Sequence, residues 1–137
     1  MKRTIRTAVI AVAAAGLAFG LTACSAVADK AADEVDKAVN ENYEVTYEVT
    51  GKSVETIEYH GGGGEAMNPK IESAAKPTLP WKKTVTLKGI MPPAVMPVSL
   101  EAADLTCKIT YKDKVIKEAT GDKAMAGGCV AVSPIAQ

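Results

Sequence analysis

The pattern of apolar and polar positions divides the chain into three segments. Residues 1–23 are mostly apolar, residues 24–42 carry alanine and valine at helical spacing between charged residues, and residues 43–137 alternate with a period of two. A period of two places neighbouring side chains on opposite faces of a β-strand. The pattern therefore predicts a leader, a tether and one β-domain.

Strand patterns recur throughout the third segment. The alternation is clearest over residues 43–50, and similar patterns lie at 54–59, near Ile71, and at 81–87, 98–102, 105–111, 115–116 and 129–132. Lys83 interrupts the apolar face of its strand, which favours a position near a sheet edge. About seven short strands and no helix predict an all-β fold, a small antiparallel immunoglobulin-like β-sandwich.

Two stretches of the domain have a composition that argues against a regular strand. Four consecutive glycines at 61–64 predict a mobile loop, because glycine backbones lose much entropy when they are held in one conformation. Three prolines within residues 91–97 argue against a central strand there, since proline lacks the N–H that a sheet ladder needs. A tight turn is expected at residues 112–114.

The leader has the features of an export signal. Three cations (Lys2, Arg3 and Arg6) precede a charge-free run at 7–21, which is shorter than the roughly 20 residues of a membrane-spanning helix. The run ends in a motif that resembles the lipobox of bacterial lipoproteins, Leu21-Thr22-Ala23-Cys24. The resemblance implies cleavage before Cys24, a diacylglyceryl group on its sulfur, and an anchor on the extracytoplasmic side of the cell membrane. An ordinary signal peptide or an uncleaved anchor is the alternative.

The tether, residues 24–42, has charged residues between Val27, Ala31, Val35 and Val39. This spacing allows a short amphipathic helix with a narrow apolar face. One interpretation is a solvated spacer between membrane and domain. The other is a helix that docks on a membrane protein or pairs with a second copy.

Charge and composition narrow the function classes. The chain has 16 basic and 16 acidic residues; without the leader, 13 lysines stand against 16 acidic residues and no arginine remains. Nucleic-acid binding and bidentate capture of an anion are therefore not expected. A single histidine excludes a histidine-cluster metal site and makes a Ser-His-Asp hydrolase a poor hypothesis. We expect no enzyme activity and no cofactor.

The two cysteines of the domain are expected to form a disulfide. Export places Cys107 and Cys129 in an oxidising compartment, and they are the pair that remains once Cys24 is lipidated. Two free thiols, or two thiols that ligate a metal, are the alternatives.

Six short motifs in one order resemble the soluble domain of the MmpS family, small membrane proteins that accompany MmpL transporters of the resistance-nodulation-division (RND) class. The motifs lie at 45–51, 57–59, 79–86, 107–115, 120 and 129, and they include Leu79-Pro80-Trp81 and the two cysteines. The resemblance implies a small disulfide-bonded β-sandwich that assists a transporter in exporting lipid or siderophore-like cargo. The chain departs from the family in its lipobox, which replaces a transmembrane helix, in a proline-rich insertion and in a short C-terminal tail.

Candidate site residues fall into two groups. Trp81, Glu44 and Glu48 are candidates for contact with a partner, although Trp81 also suits a position at the core edge and the two glutamates suit a solvated strand face. Met91, Met96 and His60 form a weak Cu(I) hypothesis, because thioethers suit Cu(I) and the two methionines lie in a segment expected to be exposed. An extracytoplasmic ligand- or copper-binding lipoprotein without a transporter is thus the alternative function.

Overall fold

The computed structural model describes residues 29–136, and the unit that holds the β-domain begins at Lys37. Helix α1 covers residues 29–40. Eight strands and a second helix follow in the described residues: β1 (Asn42–Thr50), β2 (Val54–Glu65), β3 (Asn68–Ala75), β4 (Trp81–Lys88), β5 (Ala94–Ser99), β6 (Thr106–Tyr111), β7 (Lys114–Thr120), α2 (Asp122–Gly127) and β8 (Cys129–Val130). The all-β expectation is confirmed.

The strands form two antiparallel four-stranded sheets. We call the sheet of order β4-β1-β6-β7 sheet A, and the sheet of order β3-β2-β5-β8 sheet B. Strand β1 lies between β4 and β6, and β2 lies between β3 and β5. The β2–β5 and β6–β7 pairs correspond to the B–E and F–G pairs of an immunoglobulin sandwich, whereas the β1–β4 pair has no counterpart there. The position of β4 at an edge agrees with the interruption of its apolar face by Lys83.

The core lies between the two sheets and is built from alternate strand positions. Tyr43, Val45, Tyr47 and Val49 of β1 are all buried, and the residues between them face outward. Apolar side chains of β2, β4, β5 and β6 pack against these residues. They include four fully buried residues, Ile57, Leu87, Val95 and Ile109. The period of two in the sequence thus corresponds directly to the inner faces of the sheets.

A disulfide between Cys107 and Cys129 joins the sheets. Cys107 lies on β6 of sheet A and Cys129 on β8 of sheet B, and both side chains are fully buried. The expected disulfide is confirmed. Since the bond closes a loop with a sequence separation of 22, the chain-entropy estimate of its stabilisation is roughly 3 kcal/mol.

The expected mobile loop at the glycines is wrong. Strand β2 continues through all four glycines to Glu65, with a register shift between His60 and Gly64. A β-carbon on Gly62, whose φ is +95°, would lie 2.3 Å from the carbonyl oxygen of Thr86 on β4. The glycines therefore allow β2 to pass close against the backbone of the other sheet.

The proline-rich segment and the end of the domain also differ from expectation. Strand β5 includes Pro97, which pairs with Ile57 of β2, whereas the short β8 pairs only with Ala94 and Val95. Pro97 is tolerated because no strand in the described residues pairs with the other edge of β5 at this point. The domain contains a helix, α2, which we did not expect; its Ala124 is fully buried.

The N-terminal segments are partly described. The tether is helical from residue 29 to residue 40, while Val35 and Val39 remain exposed. The leader, its lipobox Leu21-Thr22-Ala23 and Cys24 lie outside the described residues. Within residues 29–136, no helix has the length and apolar character needed to span a membrane.

Candidate functional site

Trp81 lies at the edge of the core. Its ring is 5.1 Å from that of Tyr59, which in turn is 5.9 Å from the ring of Tyr47, and the indole is only partly exposed. Tyr43 and Tyr111 form a further edge-to-face pair, 6.2 Å apart. All five aromatic residues of the domain thus contribute to packing, so that the structure places Trp81 as a core-edge anchor.

The three buried tyrosines each donate a hydrogen bond, two of them to backbone carbonyls and one to a carboxylate. Tyr43 donates to the carbonyl of Met91, and Tyr47 donates to that of His60 at 3.1 Å. Burial raises the pKa of Tyr43 to about 12 and raises that of Tyr47 further. Burial also raises the pKa of Tyr59, as does its hydrogen bond to Glu72. These hydroxyls stay protonated at neutral pH; that of Tyr43 attaches the segment before β5 to β1, whereas those of Tyr47 and Tyr59 bond residues of β2 and β3.

Glu44 and Glu48 lie on the outer face of sheet A, which is polar. Glu48 stands opposite Lys82 on β4 and Lys108 on β6. Lys108 in turn stands opposite Glu118 on β7, and its Nζ lies 4.0 Å from the Glu118 carboxylate. The four side chains form a row of alternating charge across the sheet. Glu44 is exposed and stands opposite Thr86.

Threonines occupy most of the remaining outer positions of sheet A. Thr46 lies opposite Thr84 and Thr110, and its hydroxyl is 2.9 Å from that of Thr84. Across the face the threonines are Thr46, Thr50, Thr84, Thr86, Thr106, Thr110 and Thr120. Opposite charges alternate on this face and its hydroxyls pair with one another. The face is therefore readily hydrated and has no region of a single charge sign that would attract a charged partner.

The copper candidates are not brought together as a set. Met91 is fully buried in the core, whereas Met96 lies on the outer side of sheet B, where it lines a surface groove. The expectation that both methionines are exposed is therefore wrong for Met91. His60 is buried, and its Nδ1 lies 2.6 Å from the carbonyl oxygen of Pro92, to which it donates. Among the described residues no group of three or more His, Cys, Asp and Glu could hold a metal ion.

The outer side of sheet B carries exposed apolar side chains. Val98 is 48% exposed, and Met125 of α2 is 43% exposed; together with Met96 they line a groove of about 240 Å³ between β5 and α2. Val130 of β8 is 48% exposed and pairs with Ala94, which precedes Met96 by two positions on the same face. We call Met96, Val98, Met125 and Val130 the β5–α2 surface.

Polar groups and further apolar residues border the β5–α2 surface. Glu58 and Ser99 line the same groove, while Leu100 and Val132, which follow β5 and β8, are 80% and 66% exposed. Exposed apolar side chains that line a groove together with polar residues are typical of a protein contact site. Of the exposed large hydrophobic residues in the described part of the chain, only Val115 lies on the outer face of sheet A.

Sequence reasoning missed the β5–α2 surface because it missed the two elements that form it. Prolines argued against β5, and the six residues of α2 are too few for a helical period. Two signals were present: the alternation of Ala94, Met96 and Val98, and a segment between Gly121 and Gly128 that contains Ala124, Met125 and Ala126.

Neither the models of known protein families nor the curated proteins compared with this chain give a match.

Proposed function

We propose that this chain is an extracytoplasmic lipoprotein, anchored through Cys24, whose sandwich domain docks on an RND-type membrane transporter in the manner of an MmpS-like accessory protein. It acts by protein–protein contact and not by catalysis. The transporter exports lipid or siderophore-like cargo. The anchor keeps the domain at the membrane in which the transporter lies.

The observation that carries the proposal is the β5–α2 surface. Val98 and Met125 are each more than two-fifths exposed, and both line the groove between β5 and α2. The outer face of the other sheet is almost wholly polar. A folded domain gains nothing from such exposure, whereas a partner that covers it gains the burial of apolar area.

Two further features support export and the MmpS-like resemblance. The Cys107–Cys129 bond is of the kind that persists in oxidising compartments outside the cytoplasm. The six motifs of the resemblance also overlap structural elements: in chain order they overlap β1, β2, β4, β6 and β7, and the last is Cys129 of β8.

The test is capture of the transporter from crosslinked bacterial cells through a C-terminal tag, with mass spectrometry of the captured proteins. Val98→Asp places a carboxylate in the β5–α2 surface and is expected to reduce capture at least tenfold. Val115→Asp is the matched control, because Val115 is an equally exposed strand valine, 44% against 48%, on sheet A. Cys24→Ala should reduce capture through loss of the anchor.

The outcomes separate the parts of the proposal. Capture of an RND transporter that Val98→Asp reduces and Val115→Asp preserves supports docking through the β5–α2 surface. Equal capture by both variants means that another surface binds the partner. If no RND transporter is enriched while the lipoprotein is abundant at the membrane, the accessory role is wrong.

A further inference from the structure

A second group of exposed apolar residues lies where β2 turns into β3. Ala66 and Met67 form a two-residue turn between Glu65 and Asn68, and Met67 is 94% exposed. Val39 and Ile90, which are 45% and 47% exposed, line the same cleft of about 450 Å³. We call Met67, Val39 and Ile90 the hairpin-tip patch. A turn of this kind usually carries polar residues or glycine, so a methionine at its tip has no role in forming the turn.

The hairpin-tip patch is held in place by close backbone packing. Gly62 approaches the Thr86 carbonyl of β4 more closely than any residue with a side chain could, which sets the course of β2 toward its tip. Gly89 makes a similar approach on the other side of the cleft, because a β-carbon there would lie 2.1 Å from the carbonyl oxygen of Val39. The patch is therefore a feature of the folded domain.

The hairpin-tip patch lies at the end of the domain where the chain arrives from its N-terminus. Val39 belongs to the last turn of α1, and the N–H of Gly89 donates to the carbonyl of Glu41 just before β1 begins. Fifteen positions separate Val39 from Cys24. Because an extended chain spans at most about 3.5 Å per residue, a lipid on Cys24 would keep Val39 within about 50 Å of the membrane surface.

We propose that the hairpin-tip patch rests on the phospholipid bilayer, with Met67 inserted at the boundary between headgroups and acyl chains. This inference rests on the lipid anchor of the proposed function and does not require a transporter. Because the anchor already holds the domain near the membrane surface, even a small apolar contact strengthens membrane binding. The contact would orient the sandwich and direct its other end away from the membrane.

The size of the hairpin-tip patch favours a membrane over a protein. Three side chains offer far less than the ~800 Å² per partner that a standard protein interface buries, so a second copy would gain little from it. Lys88 and Glu65 both line the cleft, so its charge is mixed. The Lys88 ammonium can reach a lipid phosphate while its methylenes cover apolar surface.

The experiment uses the full lipidated chain, reconstituted in vesicles of phosphatidylethanolamine and phosphatidylglycerol. Met67→Cys supplies a free thiol for an environment-sensitive fluorophore, because Cys107 and Cys129 are bonded to each other. Leu100→Cys is the matched control, since Leu100 is an exposed apolar residue that does not line this cleft. Mass spectrometry first establishes whether Cys24 carries lipid, and nitroxide-labelled lipids then quench fluorophores that contact the bilayer.

The expected result is a blue-shifted emission at position 67, with quenching several-fold greater than at position 100. Equal, weak quenching at both positions in a lipidated protein overturns the inference and leaves the proposed function intact. A blue shift at position 67 without quenching, which decreases as the protein is diluted in lipid, indicates a second copy and also overturns it. Absence of lipid on Cys24 contradicts the anchor in the proposed function, and the inference then fails with it.

Discussion

The outer faces of the two sheets differ in character, although both sheets bury their other face in one core. Sheet A presents threonines and a row of alternating lysines and glutamates, whereas sheet B with α2 presents exposed valine and methionine beside polar residues such as Glu58. Packing dictates the inner faces, because each sheet must bury apolar area to fold. The outer faces are free of that constraint, so their difference is informative about function.

The largest expected effect comes from cutting the bond that joins the two sheets. The double variant Cys107→Ala/Cys129→Ala should lose roughly 3 kcal/mol of stability, which lowers the midpoint of thermal unfolding by about 12–24 °C in a domain of this size. Thermal unfolding followed by circular dichroism measures it. A shift of only a few degrees would mean that the two sheets associate firmly without the bond.

The next effect concerns the place where β2 of sheet B passes close to β4 of sheet A. Gly62→Ala should destabilise the domain by about 2 kcal/mol or more, because the new methyl group meets the Thr86 carbonyl and φ is positive. Gly127→Ala is the control: its β-carbon would meet nothing within 4 Å. Urea unfolding of both variants compares them, and equal midpoints would contradict the close approach.

Alkaline pH should loosen the attachment of the 89–93 segment to β1. The pKa of Tyr43 is raised from 10 to about 12 in the folded protein, so its stabilising contribution is complete below pH 10 and is lost as pH rises to about 12. Tyr43→Phe lacks the hydrogen bond to Met91, at a cost of about 1 kcal/mol, and should lose less stability over that interval. Urea midpoints from pH 8 to pH 12 test this; parallel curves for the two proteins would contradict it.

The smallest expected effect is on the outer face of sheet A. Glu48→Lys places a third lysine between Lys82 and Lys108 and should cost about 0.5–1 kcal/mol at low salt. Glu44→Lys is the control, since Glu44 faces Thr86 and should change stability by less than about 0.5 kcal/mol. Chemical unfolding at low and high salt separates the two, and a cost for Glu48→Lys that salt leaves unchanged would contradict the charge row.

The sequence predicted the regular part of the fold well. The alternation of β1, the edge position of β4 and the turn at residues 112–113, where both residues have positive φ, are all present. These features are local, because a strand period and a two-residue turn depend on neighbours in the chain. The pairing of Cys107 with Cys129 was also accessible, since they are the only two cysteines in the domain.

The candidate sites were predicted less well. Met91 was expected at the surface and is in the core, whereas the exposed Val98 and Met125 were not considered. Proline statistics argue against a strand that is paired on both edges, but β5 is paired on only one edge at Pro97. Whether an edge is free depends on where the last strand of the chain lies, which no local pattern reveals.

The sequence by itself determined the period of the strands, the inward faces of the sandwich and the two cysteines available for its disulfide, because each follows from residue type and spacing. Only the tertiary structure decided which strands are neighbours, why four glycines lie in a strand, and which apolar residues stay exposed. The physical reason is the same in each case. The closeness of Gly62 to Thr86 and the exposure of Val98 and Met67 depend on elements far away in the chain, whose positions follow from packing the whole core.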